Sequence, residues 1–400
     1  MSRQQLEFLF LNLGHFLDHL MMLIFASVAA LTLAEQWHMS YAELVPYATP
    51  GFVAFGLCAL PAGWIADRWS RPGMIAVFFV GIGVCAILTS FANTPLQIGA
   101  GLFAIGIFAA IYHPVGLSLV VQGRKRTGIP LAINGVFGNL GVASAALLTG
   151  YTIDLIGWRE AFLIPGVISI LLGLTYTFWV LPGRVSTTST APKPGQSTND
   201  KPNPSERRDL IRIFVIVLIT TAIGGLIFQS TTFALPKIFS ERLPELAATA
   251  GQVGFYAFLV FSLAAIAQLV VGYMLDNHSL RTVFVVIAAT QAALFLAMVN
   301  ADGVVALLLS FAFMLVVFGQ IPINDVLIGR ISKGAWRSRA FAVRYIVTFS
   351  VMASAVPFIA WIHHTRGFAA LFLVLAGAAA LILFCVTSLP GRNRHIAPQL

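Results

Sequence analysis

Charge is what this 400-residue chain has least of. Lys, Arg, Asp and Glu together make 10% of it, against about 25% in an average soluble protein. So few ionised side chains cannot solvate a water-soluble body of this length, which excludes the two or three soluble domains that length alone would suggest. Cysteine is almost as scarce. Cys58, Cys85 and Cys385 each lie inside an apolar stretch, and none falls in a CxxC or Cys/His spacing, so neither a disulfide framework nor a zinc module is expected. Also missing are a Walker A loop, a nucleophilic Ser elbow and a His-Glu-x-x-His pair. ATP-driven machinery and the common hydrolases therefore lack support, no catalytic residues or cofactor are expected, and the chain does not read as an enzyme. Finally, the N-terminus has no short apolar region followed by a small-residue cleavage site; its first apolar run is long and reads as a retained helix.

What is present is apolar: 58% of residues are hydrophobic, in blocks long enough to cross about 30 Å of hydrocarbon. Twelve spans are expected, the first at 6–33 and the last at 367–389. The net charge of +9 would suit nucleic acid, but its placement argues against that partner. With the N-terminus in the cytoplasm, only Arg159, Lys237, Arg242 and Arg366 of the 24 Lys and Arg fall on the outer side. That asymmetry is the positive-inside rule, and it puts both termini in the cytoplasm. Membrane lipid is the expected surrounding.

Residues 182–209 break the pattern with Pro, Ser, Thr and Lys, and read as a flexible cytoplasmic linker. They divide an N-terminal six-helix bundle, 1–181, from a C-terminal one, 210–400. The bundles look like copies. Gly63-x-x-x-Asp67-Arg68-x-x-Arg71 and Gly272-x-x-x-Asp276-x-x-x-x-Arg281 are offset by 209 residues at both Gly and Asp. Trp158-Arg159-Glu160-Ala161-Phe162 is matched by Arg366-Gly367-Phe368, and Pro114 by Pro322. Parallel repeats of this kind mark one large class of transporters.

At these residues the sequence resembles the major facilitator superfamily over nearly its whole length. The Gly63/Asp67/Arg68/Arg71 loop is similar to that superfamily's best-known signature, with Trp69-Ser70 in place of a more usual small pair. Tyr112-His113-Pro114-x-Gly116, followed by Asn134-Gly135-x-Phe137-Gly138-Asn139-x-Gly141, resembles the fosmidomycin-resistance-type exporter branch, as does His15 with a nearby acid. In that branch the acid follows the His by four residues; here Asp18 follows by three and His19 takes the fourth place. The resemblance implies an all-α integral membrane fold of twelve helices in two bundles, in a bacterial inner membrane. It also implies a monomer that exports a small organic compound or drug against protons, by alternating access.

A charge inside a bilayer costs roughly 2.5–3.5 kcal/mol or more, so each one demands a partner, a water path or a function. Asn12, His15, Asp18 and His19 share a sector of about 120° on the first helix. A structural hydrogen-bonded cluster, a proton-coupling or substrate-binding site, and a metal site of His15, Asp18 and His19 all fit that face. Tyr112 and His113 precede a helix-breaking Pro114, and Asn134 and Asn139 are candidate cavity donors on a small-residue stripe. Asp67, Arg68, Arg71, Asp276 and Arg281 are the expected conformational latch. Asp67 is read at the start of the third helix, gripping the other bundle in the outward-facing state. Asp325 and Arg344 are the expected inner gate, and His363-His364 a solvated face. Two further functions stay open: divalent-metal transport through the His/Asp cluster, and a non-transporting assembly factor or sensor.

Overall fold

The computed structural model describes residues 2–124, 127–180, 204–331 and 335–388, with side chains at 204–210, 325 and 328–345 left outside the description. Among the described residues there are eleven helices long and apolar enough to cross a membrane. They are α1 (Arg3–Gln36), α2 (Tyr41–Arg68), α3 (Arg71–Ser90), α4 (Pro95–Val121), α5 (Gly128–Leu155) and α6 (Arg159–Trp179). A second set follows: α7 (Pro204–Arg242), α8 (Ala250–Asn277), α9 (Leu280–Met298), α10 (Gly303–Ile331) and α11 (Ala335–Thr387). The stretch expected as a linker ends earlier than its composition suggests, because 204–209 already belong to α7; a proline is tolerated in the first turn of a helix.

At 53 residues α11 would run about 80 Å at 1.5 Å per residue, far beyond one bilayer. Gly367 interrupts it with φ 72° and ψ −177°, a backbone geometry closed to residues with a Cβ. The break lies where the sequence separates its last two spans.

Packing follows one scheme twice. In the first set α1 packs on α5, α2 on α4 and α3 on α6; in the second, α7 packs on α11, α8 on α10 and α9 on α11. Each set has an aromatic core of its own. Phe79 lies 6.2 Å from Tyr176 and 5.2 Å from Phe78; Phe313 lies 5.4 Å from Phe295 and 5.8 Å from Phe372. The sets meet through α5 on α8, α2 on α11 and α1 on α7. The first two contacts exchange with each other when every helix is advanced by six.

Local signals carry the same repeat. Ser40 caps α2 in a reciprocal box with Glu43, and Thr249 caps α8 in the same way with Gln252; both positions are 209 residues apart. Ser70 caps α3 and Ser279 caps α9, again at that offset. Such caps satisfy amides that the helix start leaves without partners. Ser70 also corrects the expectation for Asp67. The carboxylate lies in the last turn of α2, not at the start of α3.

A second correction concerns Arg366, expected to match Arg159. Arg159 donates through Nη1 to the carbonyls of Ser90 (2.6 Å) and Ala92 (2.8 Å), closing the end of α3. The same task at the end of α9 falls to Arg242, which donates to the carbonyls of Met298, Ala301 (3.0 Å) and Val299 (3.0 Å). Arg366 is exposed. A guanidinium fork suits terminal carbonyls that have no amide partner. Arg159→Gln and Arg242→Gln should each lose roughly 1–3 kcal/mol of stability, read as a lower thermal midpoint in detergent. Arg366→Gln should stay within about 0.5 kcal/mol of the parent.

Candidate functional site

α1 is the most deeply placed span, with 72% of its most apolar window buried. Its polar face meets α4 where that helix loosens into a π-helical turn, Tyr112–Gly116, around Pro114. Turns of this kind recur at functional positions because they re-aim side chains. Here the turn directs Tyr112 and His113 toward α1.

Four titratable side chains converge. His15 Nδ1 lies 2.8 Å from the Asn134 carbonyl. Because a carbonyl only accepts, that nitrogen carries the proton and Nε2 holds the lone pair in the neutral ring. His19 Nε2 stands 3.2 Å from it. His113 Nε2 lies 3.4 Å from Asp18 Oδ2, and its ring is 5.3 Å from that of His15 and 5.5 Å from that of His19. Asp18 is wholly buried, whereas His113 is 19% exposed and His19 is half-buried. The carboxylate thus reaches solvent only through its neighbours.

This geometry redistributes the expected roles. Asp18 pairs with His113 on α4, not with His15 or His19, because successive positions on a helix diverge by about 100°. Asn134 is not a cavity donor but a clasp: its Nδ2 donates to Asn12 Oδ1 (2.9 Å) and to the Tyr112 hydroxyl (2.9 Å). Tyr112 in turn donates to the Leu11 carbonyl at 2.6 Å and stacks on His15 at 4.9 Å. The clasp holds α1, α4 and α5 together at the level of the imidazoles. Asn139 keeps a buried side-chain nitrogen without a hydrogen-bond partner.

The glycine stripe of α5 makes the approach possible. A Cβ on Gly138 would lie 2.7 Å from the His15 imidazole, and one on Gly141 would meet the Phe16 carbonyl.

The remaining expected residues fare differently. Arg71 donates to Asp67 at 2.8 and 3.0 Å, an exposed pair within one loop, and Arg68 lies over the Trp64 ring. Among the described residues, both contacts stay within the first set. Asp276 lies in the last turn of α8, and Arg281 donates to the Thr387 carbonyl, not to Asp276. The side chains of Asp325 and Arg344, the expected inner gate, lie outside the description.

Sequence reasoning missed a junction at the opposite end of the helices from the N-terminus. Glu241 pairs with Lys237 (3.3 Å) and His363 (2.9 Å), so His363 is engaged and not a solvated face, while His364 is exposed. Tyr41 of α2 crosses to this group, its ring 5.4 Å from His363 and 5.8 Å from Lys237 Nζ. Nearby, Asp154 Oδ2 accepts from the Gly251 amide at 2.8 Å, joining α5 to the start of α8. The one advance signal was Lys237 and Glu241 at helical spacing. Toward the N-terminal end, Leu131, Ala132 and Ile133 of α5 are all exposed, and among the described residues a Cβ on Gly272 of α8 would meet nothing.

An all-helical body of this kind, with polar groups clasped inside apolar spans, defines a multi-pass membrane protein. The chain belongs to the Major Facilitator Superfamily, whose sequence pattern matches residues 11–245; it is accordingly no enzyme. It is similar to the gallate transporter of Pseudomonas putida, 26% identical over 153 residues, which is 38% of this chain and 34% of that protein. It is also similar to the niacin transporter of Acinetobacter baylyi, 29% identical over 142 residues, 35% of this chain and 32% of that one. The chain thus spans about a third of the relatives it matches. In fold it resembles the D-xylose–proton symporter, with a TM-score of 0.74 at 14% identity, covering 97% of this chain and 98% of that one.

Gly138→Ala should destabilise the protein by about 1–3 kcal/mol, because the imidazole must leave its place. Gly135→Ala, with nothing within 4 Å, should be neutral. Thermal midpoints of the two variants in detergent give the comparison.

Proposed function

We propose that this chain is a proton-coupled secondary transporter, which exports a small organic compound from the cytoplasm by alternating access. The observation that carries the reading is a sealed carboxylate, Asp18, paired with the half-buried His113 beneath a junction that joins the two sets at one end. A carboxylate buried beside an imidazole can exchange its proton only when the path to one side opens.

In this proposal residues 1–181 and 210–400 are the two moving bundles, joined by a cytoplasmic linker. α11 counts as two crossings separated at Gly367, which makes twelve and leaves both termini inside a bacterial inner membrane. The closed junction at Tyr41, Asp154, Glu241 and His363 then faces outward, and the exposed ends of α5 and α8 face the cytoplasm. The local Asp67–Arg71 pair belongs to this inward-open state, and Asp67 turns to the second bundle in the other. The working unit is a monomer surrounded by lipid.

The names of the relatives suggest the first substrates to test, small carboxylates on an aromatic ring. Export follows the resemblance to the exporter branch, since a rocking pair of bundles can run in either direction. Proteoliposomes loaded at low pH and diluted into higher pH should accumulate labelled gallate or nicotinate as protons leave. Asp18→Asn should abolish that accumulation while keeping substrate exchange at equal pH on both sides. Unchanged gradient-driven accumulation in Asp18→Asn would refute the coupling role. Absence of flux for every compound tested would instead favour an assembly factor or sensor.

Asp67→Asn gives a second test. It should shift an engineered cysteine on the cytoplasmic end of α5 toward faster labelling, by removing an interaction of the outward-facing state. Each such pair is worth about 0.2–1 kcal/mol, so a change of up to roughly fivefold is expected.

A further inference from the structure

His15 and His19 are one helical turn apart on α1, and their Nε2 atoms are separated by 3.2 Å. Two imidazole nitrogens that bind one tetrahedral ion at 2.0–2.1 Å lie about 3.3 Å apart. The pair is therefore already at the spacing of two ligands on a shared metal, with no movement of the backbone. A third imidazole, His113 of α4, comes from a different helix. The ligand nitrogens of all three lie within 4.8 Å of one another, so closing the set takes a shift of about 1.5 Å, within reach of a χ rotation.

The surroundings have the form that supports metal-bound imidazoles. His15 donates its Nδ1 proton to the Asn134 carbonyl at 2.8 Å, which points the Nε2 lone pair inward and fixes the ring. Asp18 stands 3.4 Å from His113 Nε2; with the ion on the other ring nitrogen, Nδ1, this is the carboxylate–histidine pairing that orients and strengthens such ligands. Both Asp18 oxygens are buried, with His113 as the neighbouring base, so a carboxyl group stands beside the three rings. His19 and His113 are the half-open members, which leaves an approach for the ion.

We propose that His15, His19 and His113 form a binding site for a late first-row divalent cation such as Zn²⁺ or Co²⁺, with Asp18 as its buried counter-charge. Three neutral imidazoles suit Zn²⁺, Co²⁺ and Ni²⁺, whereas Mg²⁺ and Ca²⁺ require oxygen ligands. The set differs from the one expected on α1 alone, because Asp18 turns to α4 and His113 takes its place. It goes beyond the transport reading and stands independently of it.

The test uses the full-length protein in detergent, without a polyhistidine tag and stripped with chelator. CoCl₂ should bind one ion per chain and give the visible d–d absorption of a tetrahedral site; ZnCl₂ should displace it. His19→Ala and His113→Ala should each weaken binding by roughly 100-fold, and Asp18→Asn by about 10–100-fold. His363→Ala with His364→Ala should leave the titration unchanged. His19→Gln, which keeps volume and polarity, should lose binding as His19→Ala does, with an unaltered gel-filtration profile. No saturable Co²⁺ or Zn²⁺ binding below about 100 µM would overturn the site. So would one-ion binding that survives combined His19→Ala and His113→Ala. Proton-driven flux is measured in chelator, so a failed titration leaves the transport reading untouched.

Discussion

Hydrocarbon offers no hydrogen bonds, and most of the polar architecture in this protein answers that one constraint. An unpartnered polar group in the bilayer core costs several kcal/mol, so each must be met from within. Asp18 is met by His113, His15 by the Asn134 carbonyl, and the Asn134 amide by Asn12 and Tyr112. Together these contacts tie α1, α4 and α5 into one unit. The clasp and the reactive cluster are therefore one object seen from two sides. Its dry side fixes the helices, and its half-open side, His19 and His113, is left for chemistry.

The same constraint acts at helix ends. Amides at the starts of α2, α3, α8 and α9 are capped by Ser or Thr, and carbonyls at the ends of α3 and α9 are closed by Arg159 and Arg242. The caps keep the 209-residue register of the repeat, whereas the two arginines do not, since one begins α6 and the other ends α7. A cap is local and is inherited with its helix. A guanidinium on a long stem can reach the same carbonyls from several places in the chain, so its position is free to move while its task stays.

Much of this was legible in the chain. Span lengths, the interrupted composition at 182–209 and the paired Gly63/Asp67 and Gly272/Asp276 motifs carry the helical membrane fold, because a bilayer imposes length and the repeat imposes order. The site was legible as an inventory and not as an arrangement. His15, Asp18 and His19 share a sector on α1, but which of them faces α4 depends on helix rotation and on the π turn at Tyr112–Gly116, neither of which periodicity encodes. Beyond the Lys237/Glu241 spacing, the junction around Glu241 and His363 was not legible because its members come from α2, α7 and α11, more than a hundred residues apart. Asp67 was misplaced for a smaller reason: Ser70, three residues on, is the better cap.

The placement of the cluster relative to the two sets bears on how a change at one could reach the other. His15, Asp18, His19 and His113 all belong to the first set, yet the His113 ring also lies 6.2 Å from Phe349 of α11, and Phe349 lies 5.1 Å from Phe55 of α2. A Cβ on Gly56 would meet the Phe349 side chain at 2.7 Å, so the second set presses on the first beside this imidazole. Interiors packed this closely are stiff. A shift of His113 toward an ion would change its contacts with Phe349 and Phe55. The contact between α2 and α11 is thus a direct mechanical route from the buried carboxylate, through His113, to the seam between the sets.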